Sequence, residues 1–314
     1  MPVLSELRKK IGCDFVVFGS APLYLLGVVG YDKAAGINDL DVAVGEDFAP
    51  GEEMREVLFH DNPMQKLYKL DIGGIPVGIG PVWPGREKIY EKIFSNAFEC
   101  GGFRFASLNV IRQWKEMMAR EYGREKDKAY LEKIRQFQDR KAQTIEITDA
   151  RADEAGEIIR LKNDVWVAAY VSREHGIGEA DIRCRQSADS ERIERMKELI
   201  RSGSVSGHVW VAKDGGEIIG MCSADRGEQN KLGALYVLPS YQKMGAGSRL
   251  IEEALGWLGE EKPVFLEVAE FNTGVIDFYR RFGFEVEGKA DDHVLPTGKS
   301  IPLLRMVRYF RREE

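Results

Sequence analysis

The segment LPSYQKMGAGSRL, residues 238–250, places three small residues where a helix begins. Gly245, Ala246 and Gly247 follow an apolar run and precede a second run whose apolar residues recur at helical spacing. Backbone N–H groups at the start of a helix have no partner within it, and the helix dipole adds partial positive charge there. Glycine lets a phosphate approach these groups without a Cβ in the way. The segment therefore indicates either a tight strand-to-helix turn or a phosphate-binding loop.

A second group of residues, near the N-terminus, could bind a metal ion and a phosphate. Gly19 and Ser20 end one strand-like apolar run, and Asp39 and Asp41 lie two residues apart in another. Alternate residues of a strand point to one face, so the two carboxylates share a face. Together they attract a cation, and Mg²⁺ that also contacts phosphate oxygens is the usual one. The alternative is a pair of aspartates that only caps a turn.

The segments that must position these residues show helix and strand patterns in both halves of the chain. We predict an α/β (α+β) protein with two domains, 1–142 and 143–314. Strands are predicted at 14–20, 39–45, 66–80 (two strands hinged at a Gly-Gly pair), 144–148, 208–215, 217–226, 231–239, 264–270 and 301–310. Helices are predicted at 21–29, 107–143, 153–162, 165–176, 188–201, 247–259 and 274–284.

Composition and charge limit the class of protein. The 314 residues suffice for two domains of roughly 100–200 residues each. The net charge of −6 disfavours nucleic-acid binding through a basic surface. The four cysteines lack C-x-x-C spacing, so we expect ordinary thiols in a reducing compartment. No signal-peptide pattern starts the chain and no apolar run reaches the ~20 residues of a membrane span, so we expect a cytoplasmic protein that does not bind membranes.

The C-terminal half resembles the GNAT superfamily of acetyltransferases. The segment LYVLPSYQKMGAGSRLIEEAL matches the family's Q/R-x-x-G-x-G/A motif at Gln242, Gly245 and Gly247. Farther along, EVAEFNTGVIDFYRRFGFEVEG resembles the second signature, in which an Asn follows a strand and a Tyr lies in a helix before a G-F turn. Asn272 and Tyr279 occupy those two positions. The resemblance extends from about residue 145 to 310.

This resemblance implies a GNAT fold with a mixed, splayed central sheet, and transfer of acetyl from acetyl-CoA to a primary amine. The strand ending at Val237 would diverge from its neighbour at 264–268, and the backbone of 243–248 would hold the CoA pyrophosphate. Tyr279 would protonate the leaving thiolate, since a phenol with a pKa of about 10 can donate to a developing thiolate. The cofactor-binding residues that the resemblance implies are Leu235, Tyr236, Val237, Gln242, Lys243, Met244, Gly245, Ala246, Gly247, Ser248 and Asn272.

The general base and the acceptor are defined less closely by the sequence. Glu267 lies in the strand that faces the expected cleft and is the candidate base, with Asp225 and Glu228 as alternatives. Each could equally be an ordinary solvated carboxylate. We expect residues 165–190 to select the acceptor, and the acidic residues there favour a cationic small-molecule or peptide amine. The identity of the amine and the oligomeric state stay open.

The N-terminal half resembles the nucleotidyltransferase superfamily, whose pattern is G-S, a helix and then D-x-D. This resemblance covers about residues 10–140. It implies that Gly19 and Ser20 bind a nucleoside triphosphate and that Asp39 and Asp41 hold Mg²⁺.

A third carboxylate completes the active site of catalytic members of that superfamily. Asp71 is one candidate for it. The family's phrase fits the segment GIPVGIG better, however, and this alignment puts Gly78 where the acid should be. Three alternatives follow: an active transferase, a degenerate module that binds nucleotide without turnover, and a non-catalytic sensor of CoA or nucleotide.

Overall fold

Two seven-stranded sheets form the centres of two units of the chain, Met1–Gln138 and Asp139–Glu314. The computed structural model describes residues 2–30, 39–172, 174–202 and 206–310. Both units mix helices with strands, which confirms the predicted α/β class. Among the helices of these residues, none combines the length and the apolar character that crossing a bilayer requires.

The described residues of the first unit form five helices and a mixed sheet. Its helices are α1 (Pro2–Ile11), α2 (Ala21–Leu25), α3 (Glu87–Ser95), α4 (Leu108–Tyr122) and α5 (Glu125–Thr144), the last of which ends in the second unit. Its strands are β1 (Phe15–Phe18), β2 (Leu40–Val44), β3 (Arg55–Phe59), β4 (Asn62–Ile72), β5 (Ile75–Gly80), β6 (Phe98–Cys100) and β7 (Phe103–Phe105). The spatial order of the strands is β3-β4-β5-β2-β1-β7-β6.

The centre of this sheet brings the two predicted motifs of the first unit together. The four residues of β1 are all buried, as the continuous apolar run FVVF predicts. β2 pairs antiparallel with β1 and parallel with β5, so that Asp41 lies opposite Phe18 on one side and Gly78 on the other. β4 then places Lys69 opposite Gly78.

The second unit has its own helices and strands. Its helices are α6 (Ala155–Tyr170), α7 (Glu179–Arg183), α8 (Asp189–Ser202), α9 (Ala246–Leu258) and α10 (Thr273–Arg280), with 3₁₀ turns at Ala152–Glu154, Cys184–Ala188 and Pro239–Tyr241. Its strands are β8 (Ile145–Asp149), β9 (Gly207–Asp214), β10 (Glu217–Asp225), β11 (Asn230–Val237), β12 (Val264–Ala269), β13 (Glu285–Lys289), β14 (His293–Val294), β15 (Ser300–Ile301) and β16 (Leu303–Arg308).

The sheet of the second unit opens between two central strands. The strand order is β13-β16-β12-β11-β10-β9-β8, and β11 and β12 are its parallel pair. They pair only at Asn230–Val264 and Lys231–Phe265. A bulge follows at once, since the register of β10 against β11 shifts between Leu232 and Ala234. A bulge bends and twists its strand. The remainder of β11 therefore leaves β12, which confirms the predicted splay.

Helix α9 follows β11 and packs its apolar stripe on the sheet. Leu250, Ile251, Ala254 and Leu258 are buried at helical spacing, and burial of a leucine or isoleucine side chain stabilises by about 1.5–3 kcal/mol. Gly259, with φ +73°, ends the helix. This packing fixes the start of α9 at the end of β11, beside the splay.

Several predicted boundaries differ from the structure. The helical pattern expected over 107–143 forms two helices, because Gly123 at φ +64° terminates α4. The helices expected at 153–162 and 165–176 are one helix, α6, which ends at Tyr170. The sequence patterns did not identify α1, α3, β3, β6, β7 or β13.

Candidate functional site

The turn between β11 and α9 presents backbone N–H groups at its surface. Gly245 is the N-cap residue of α9 and has φ +87°, a region that glycine adopts at little cost. The first bond within the helix runs from the Arg249 N–H to the Gly245 carbonyl oxygen at 3.1 Å. The N–H groups of Ala246, Gly247 and Ser248 therefore lack an acceptor within the helix. A Cβ built on Gly245 meets no atom within 4 Å, so the space beside this turn is open.

Contacts within the protein hold this turn against the sheet. The Gln242 side-chain amide donates to the Val237 carbonyl oxygen at 3.3 Å. The Tyr241 hydroxyl donates to Asp214 at 3.2 Å. Gln242, predicted to contact the cofactor, thus has a clear role in positioning the turn, while its contact with a ligand stays a prediction.

Beyond the bulge, β11 has one paired edge and one edge turned towards the splay. Tyr236 and Val237 pair with Met221 and Gly220 of β10, and lie well past the last pair with β12. Such an edge carries N–H and C=O groups that can pair with an extended ligand. Gly220 is needed on the paired side, because a Cβ there would lie 3.1 Å from the Tyr236 carbonyl oxygen.

Tyr279 lies in α10 with its side chain buried, at 7% exposure. Its ring packs against Phe278 and Phe284. Burial raises the pKa of Tyr279 well above its usual value of 10, and the nearby Cys222 thiol and Tyr236 hydroxyl raise it further. The phenol therefore keeps its proton throughout the neutral range, as a hydrogen-bond donor must.

Asn272 is the N-cap residue of α10, but its side chain makes no capping hydrogen bond. Within the described ranges it has no other side-chain partner. The amide therefore keeps its donors and its acceptor for another group.

The three carboxylates considered as general base differ in solvent exposure and in their neighbours. Glu267 in β12 forms an ion pair with Lys231 at 3.0 Å, and its side chain is 44% exposed. Asp225 ends β10, where partial burial raises the pKa of its carboxyl and Lys231 opposes the rise. Glu228 is exposed in the following loop. The ion pair with Lys231 leaves the Glu267 side chain accessible to water.

The structure also assembles an aromatic and cationic cluster that the sequence patterns did not identify. The Trp166 indole N–H donates to the Tyr236 hydroxyl oxygen at 3.0 Å, and the Arg185 guanidinium carbon lies 3.3 Å from the Trp166 ring centroid. The available sequence signal was the i, i+4, i+8 spacing of Lys162, Trp166 and Tyr170 along α6.

The charged groups of residues 165–190 are partly paired with one another and with the rest of the second unit. Residues 165–190 contain acidic side chains, but Glu179 pairs with Arg183 and Asp181 pairs with Lys299. The charged groups that act on the Tyr236 hydroxyl are the cations Arg185 and Arg192. The acidic residues on which the expectation of a cationic acceptor depends are thus partly engaged in ion pairs, and the class of acceptor amine stays a prediction.

In the first unit, Gly19 and Gly78 enclose the Asp41 carboxylate from two sides. A Cβ on Gly19 would lie 2.6 Å from one carboxylate oxygen of Asp41, and a Cβ on Gly78 would lie 2.7 Å from the other. The glycine turn and the aspartate thus meet as predicted. Burial raises the pKa of the Asp41 carboxyl, Asp39 adds to the rise, and Lys69 opposes it.

The position of a third carboxylate is occupied by other groups. The register places Gly78 beside Asp41, whereas Asp71 lies at the hairpin turn, where it accepts the Gly74 N–H at 2.9 Å. The Lys69 ammonium lies 3.6 Å from the Cβ that Gly78 lacks.

These donors do not fit a two-metal centre. In the part of the chain that the structure describes, no three His, Cys, Asp or Glu side chains are grouped as a metal site. Asp39 and Asp41 alone could hold one Mg²⁺ only together with the phosphate oxygens of a nucleotide.

Ser20 belongs to a hydroxyl network rather than to a helix cap. It makes no capping bond to α2. The Tyr130 hydroxyl hydrogen-bonds with Ser20 and with Tyr24. Burial raises the pKa of Tyr130, and its bond with Tyr24 adds to the rise.

Comparisons with known proteins place the second unit among acetyltransferases. Residues 175–284 match the model of the acetyltransferase (GNAT) family. A peptidyl-lysine N-acetyltransferase, YjaB of Salmonella typhimurium, is 31% identical over 113 residues, which cover 36% of this chain and 72% of that protein.

Two of the solved structures that are similar to this chain come from Thermoplasma acidophilum and Escherichia coli. The PaiA N-acetyltransferase of Thermoplasma acidophilum, in complex with coenzyme A, is 22% identical with a TM-score of 0.42, over 53% of this chain and 99% of that one. The apo form of YjaB from Escherichia coli is 23% identical with a TM-score of 0.36, over 52% of this chain and 96% of that one.

Proposed function

Because the chain belongs to the acetyltransferase (GNAT) family, and is therefore an acyltransferase, we propose that it transfers the acetyl group of acetyl-CoA to a primary amine. The observation that carries this proposal is the splay between β11 and β12 beside the open turn at Gly245. The strand edge suits an extended ligand with amide groups, and the turn suits a pyrophosphate.

Three parts of this region would hold acetyl-CoA. The N–H groups of residues 243–248 would bind the pyrophosphate, because a helix N-terminus favours an anion and glycine allows close approach. The edge of β11 at residues 235–237 would pair with the pantetheine amides. The Asn272 side chain, which caps no helix, would donate to the cofactor or accept from it.

The reaction forms an amide and releases a thiol. The neutral amine attacks the thioester carbonyl carbon, the carbon–sulfur bond breaks, and the proton lost by the amine balances the one gained by sulfur. An N–H of β11 near Tyr236 or Val237 would stabilise the oxyanion. Tyr279 would donate a hydrogen bond, and finally its proton, to the leaving sulfur. Because burial raises its pKa, we assign most of its effect to the hydrogen bond.

For the general base we propose Glu267, which would act through water. Its carboxylate is exposed enough for water to reach, and the pair with Lys231 is a surface ion pair of small energy, about 0–1 kcal/mol. An acceptor amine would then lose its proton to a water bound by Glu267.

A small-molecule or peptide amine would be the acceptor. The similar Salmonella protein is named as a peptidyl-lysine acetyltransferase, and a lysine side chain is a primary amine. The acceptor would enter beside Tyr236, where the aromatic cluster lies.

The test of the cofactor site is Gly245→Glu, with thermal unfolding measured with and without acetyl-CoA. A ligand at 100 times its Kd stabilises the native state by about 2.7 kcal/mol. We expect wild type to show this stabilisation and Gly245→Glu to lose it through bulk and charge at the pyrophosphate.

The matched control is Gly259→Glu, at the other end of α9. Gly259 also has positive φ, at +73°, and its Cβ would also meet no atom within 4 Å. Gly259 has ψ −174° and Gly245 has ψ −18°, so a side chain at Gly259 is at least as strained as one at Gly245. The control thus carries the same charge and no less strain, and we expect it to bind acetyl-CoA. Retained binding by Gly245→Glu would show that the pyrophosphate lies elsewhere, and no binding by wild type would refute the proposed activity.

For the first unit, residues 1–142 in the sequence division, we propose a degenerate nucleotidyltransferase-like module. The supporting observation is that Gly78, which has no carboxylate, lies beside Asp41, and that the Lys69 ammonium also lies beside Gly78. The Lys69 ammonium would balance part of the charge of the Asp41 carboxylate. Gly19 and Ser20 would then bind a nucleotide, but the nucleotidyl group would not be transferred. Titration with Mg²⁺ and ATP, together with a transfer assay, tests this proposal.

A further inference from the structure

The Tyr236 hydroxyl has two hydrogen-bond partners within the protein. The Trp166 indole N–H donates to its oxygen at 3.0 Å, and the Tyr236 and Tyr170 hydroxyls share a second hydrogen bond. A phenol oxygen has two acceptor lone pairs and one O–H donor. The indole engages one lone pair, so Tyr236 can accept from Tyr170 with the other and offer its own O–H to an acceptor atom of a ligand.

Two cations that lack a carboxylate partner lie close to the rings of Trp166 and Tyr236. The Arg185 guanidinium stacks on Trp166 at 3.3 Å, and the Lys162 ammonium lies 5.9 Å from the Tyr236 ring centroid. Among residues 2–30, 39–172, 174–202 and 206–310, neither forms an ion pair. The neighbouring Arg183, by contrast, is paired with Glu179 at 2.6 Å.

A third cation, Arg192, adds to the positive electrostatic potential of this region. The Arg192 guanidinium donates through Nη1 to Asn163 at 2.8 Å and to Asp189 at 2.5 Å. Its Nη2 is buried and has no hydrogen-bond partner among the described atoms. The carboxylate of Asp189 therefore offsets one of three positive charges, and the cluster keeps an excess of positive charge.

The cost of this arrangement is visible in the ionisation of Lys162. Burial, with a smaller contribution from Arg192 and Arg185, lowers the pKa of Lys162 to about 8. Protein interiors pair their buried charges, because an unpaired one loses the stabilisation that water gave it. Unpaired cations kept beside a reaction site suit a ligand that brings the missing negative charge.

We infer that Lys162, Arg185 and Tyr236 form an anion subsite, and that the amine which this protein acetylates also carries a carboxylate. This inference rests on the proposed acetyl transfer. Arginine offers two parallel N–H donors to a carboxylate, lysine supplies a point charge, and the Tyr236 hydroxyl supplies a third donor.

The experiment compares acceptors in matched pairs that differ only in the anionic group. Glycine with glycinamide and β-alanine with β-alaninamide are assayed with acetyl-CoA by release of free CoA. Spermidine and a lysine peptide with neutral flanking residues are included as cationic acceptors. The readout is the ratio of kcat/KM for the carboxylate to that for the amide, which a general loss of activity does not change.

We expect wild type to favour the carboxylate member of each pair by about 10-fold or more, because a charged hydrogen bond contributes about 1.5–3 kcal/mol. Arg185→Gln and Lys162→Met should each lower the ratio by about 10-fold or more. The control Arg183→Gln, which removes a nearby arginine already paired with Glu179, should leave the ratio unchanged.

A second measurement covers the case in which none of these amines is acetylated. Protein saturated with acetyl-CoA is titrated with glutarate and, separately, with glutaramide, and tryptophan fluorescence is followed because Trp166 contacts both Arg185 and Tyr236. Saturable binding of glutarate that Arg185→Gln weakens supports the subsite. Absence of saturable glutarate binding overturns it.

The other outcomes are equally decisive. A preference for amides, spermidine or the lysine peptide overturns the inference, and so does an unchanged ratio in Arg185→Gln. If Arg185→Gln loses the stabilisation by acetyl-CoA, the cations serve the cofactor and the inference fails. Failure of wild-type protein to bind acetyl-CoA would instead refute the proposed acetyl transfer, so the two failures are distinguishable.

Discussion

Replacement of Lys162 by methionine should make the protein more stable at neutral pH. Burial, with Arg192 and Arg185 nearby, lowers the pKa of Lys162 from 10.5 to about 8. The charged form is therefore less favourable in the folded chain than in the unfolded one. Methionine has a similar apolar stem and no charge, so Lys162→Met removes that cost.

The size and the sign of the effect follow from the two pKa values. Between pH 8 and 10.5 the unfolded chain binds a proton that the folded chain releases, so the stability of wild type rises with pH in this window. At about 1.4 kcal/mol per pH unit, the lowering corresponds to about 3 kcal/mol. The advantage of Lys162→Met at pH 7 should thus exceed its advantage at pH 10.5 by about 3 kcal/mol.

The assay is urea denaturation of the full chain at pH 7 and pH 10.5, followed by tryptophan fluorescence. Wild type and Lys162→Met have the same first unit, so a difference between their denaturation curves is assigned to the second unit. Lys197→Met is the control, because Lys197 forms an ion pair with Glu194 near the surface and should change stability by less than about 1 kcal/mol at either pH. An equal effect of Lys162→Met at both pH values would refute the desolvation of Lys162, and with it part of the case for the anion subsite.

Two further predictions concern the reaction and the first unit. Tyr279→Phe keeps the ring packing and removes one donor, so kcat should fall about 100-fold while KM for acetyl-CoA stays within about threefold. Because the pKa of Tyr279 is raised well above 10, steady-state kinetics of wild type should show no loss of kcat from Tyr279 ionisation as pH rises from 7 to 9. A wild-type rate in Tyr279→Phe would exclude Tyr279 from the mechanism. For the first unit, incubation with Mg²⁺ and radiolabelled ATP should give no nucleotidyl transfer, and transfer that Asp41→Asn abolishes would contradict the proposed loss of activity.

The sequence predicted the parts of the site that lie close together in the chain. Gly245 and Gly247 flank a helix start, and a local pattern of small residues after a strand is sufficient to place such a turn. The splay after Lys231 also followed from the resemblance, although the bulge that accompanies it left no pattern that we recognised. Glycine turns and apolar periodicity act within a few residues, so they are readable without the fold.

The parts that depend on distant residues were not predictable in the same way. Trp166, Arg185 and Tyr236 come from a helix, a 3₁₀ turn and a strand, and no spacing joins them. The charges next to Tyr236 were not predictable for the same reason, since counting acidic residues does not show which are already paired. Only the register of the sheet assigned Gly78, rather than Asp71, to the position beside Asp41.

The net charge of the chain and the charge of the proposed acceptor site point in opposite directions, and distance decides between them. The whole chain carries −6, which repels an anionic acceptor at long range. At physiological ionic strength, however, exposed charges more than ~8 Å apart are largely screened. In the proposed subsite, Lys162 and Arg185 would act at contact distance and in a partly dehydrated environment, where each charge counts for more than on the surface. We therefore expect the local pairing of charges, rather than their sum over the chain, to select the substrate.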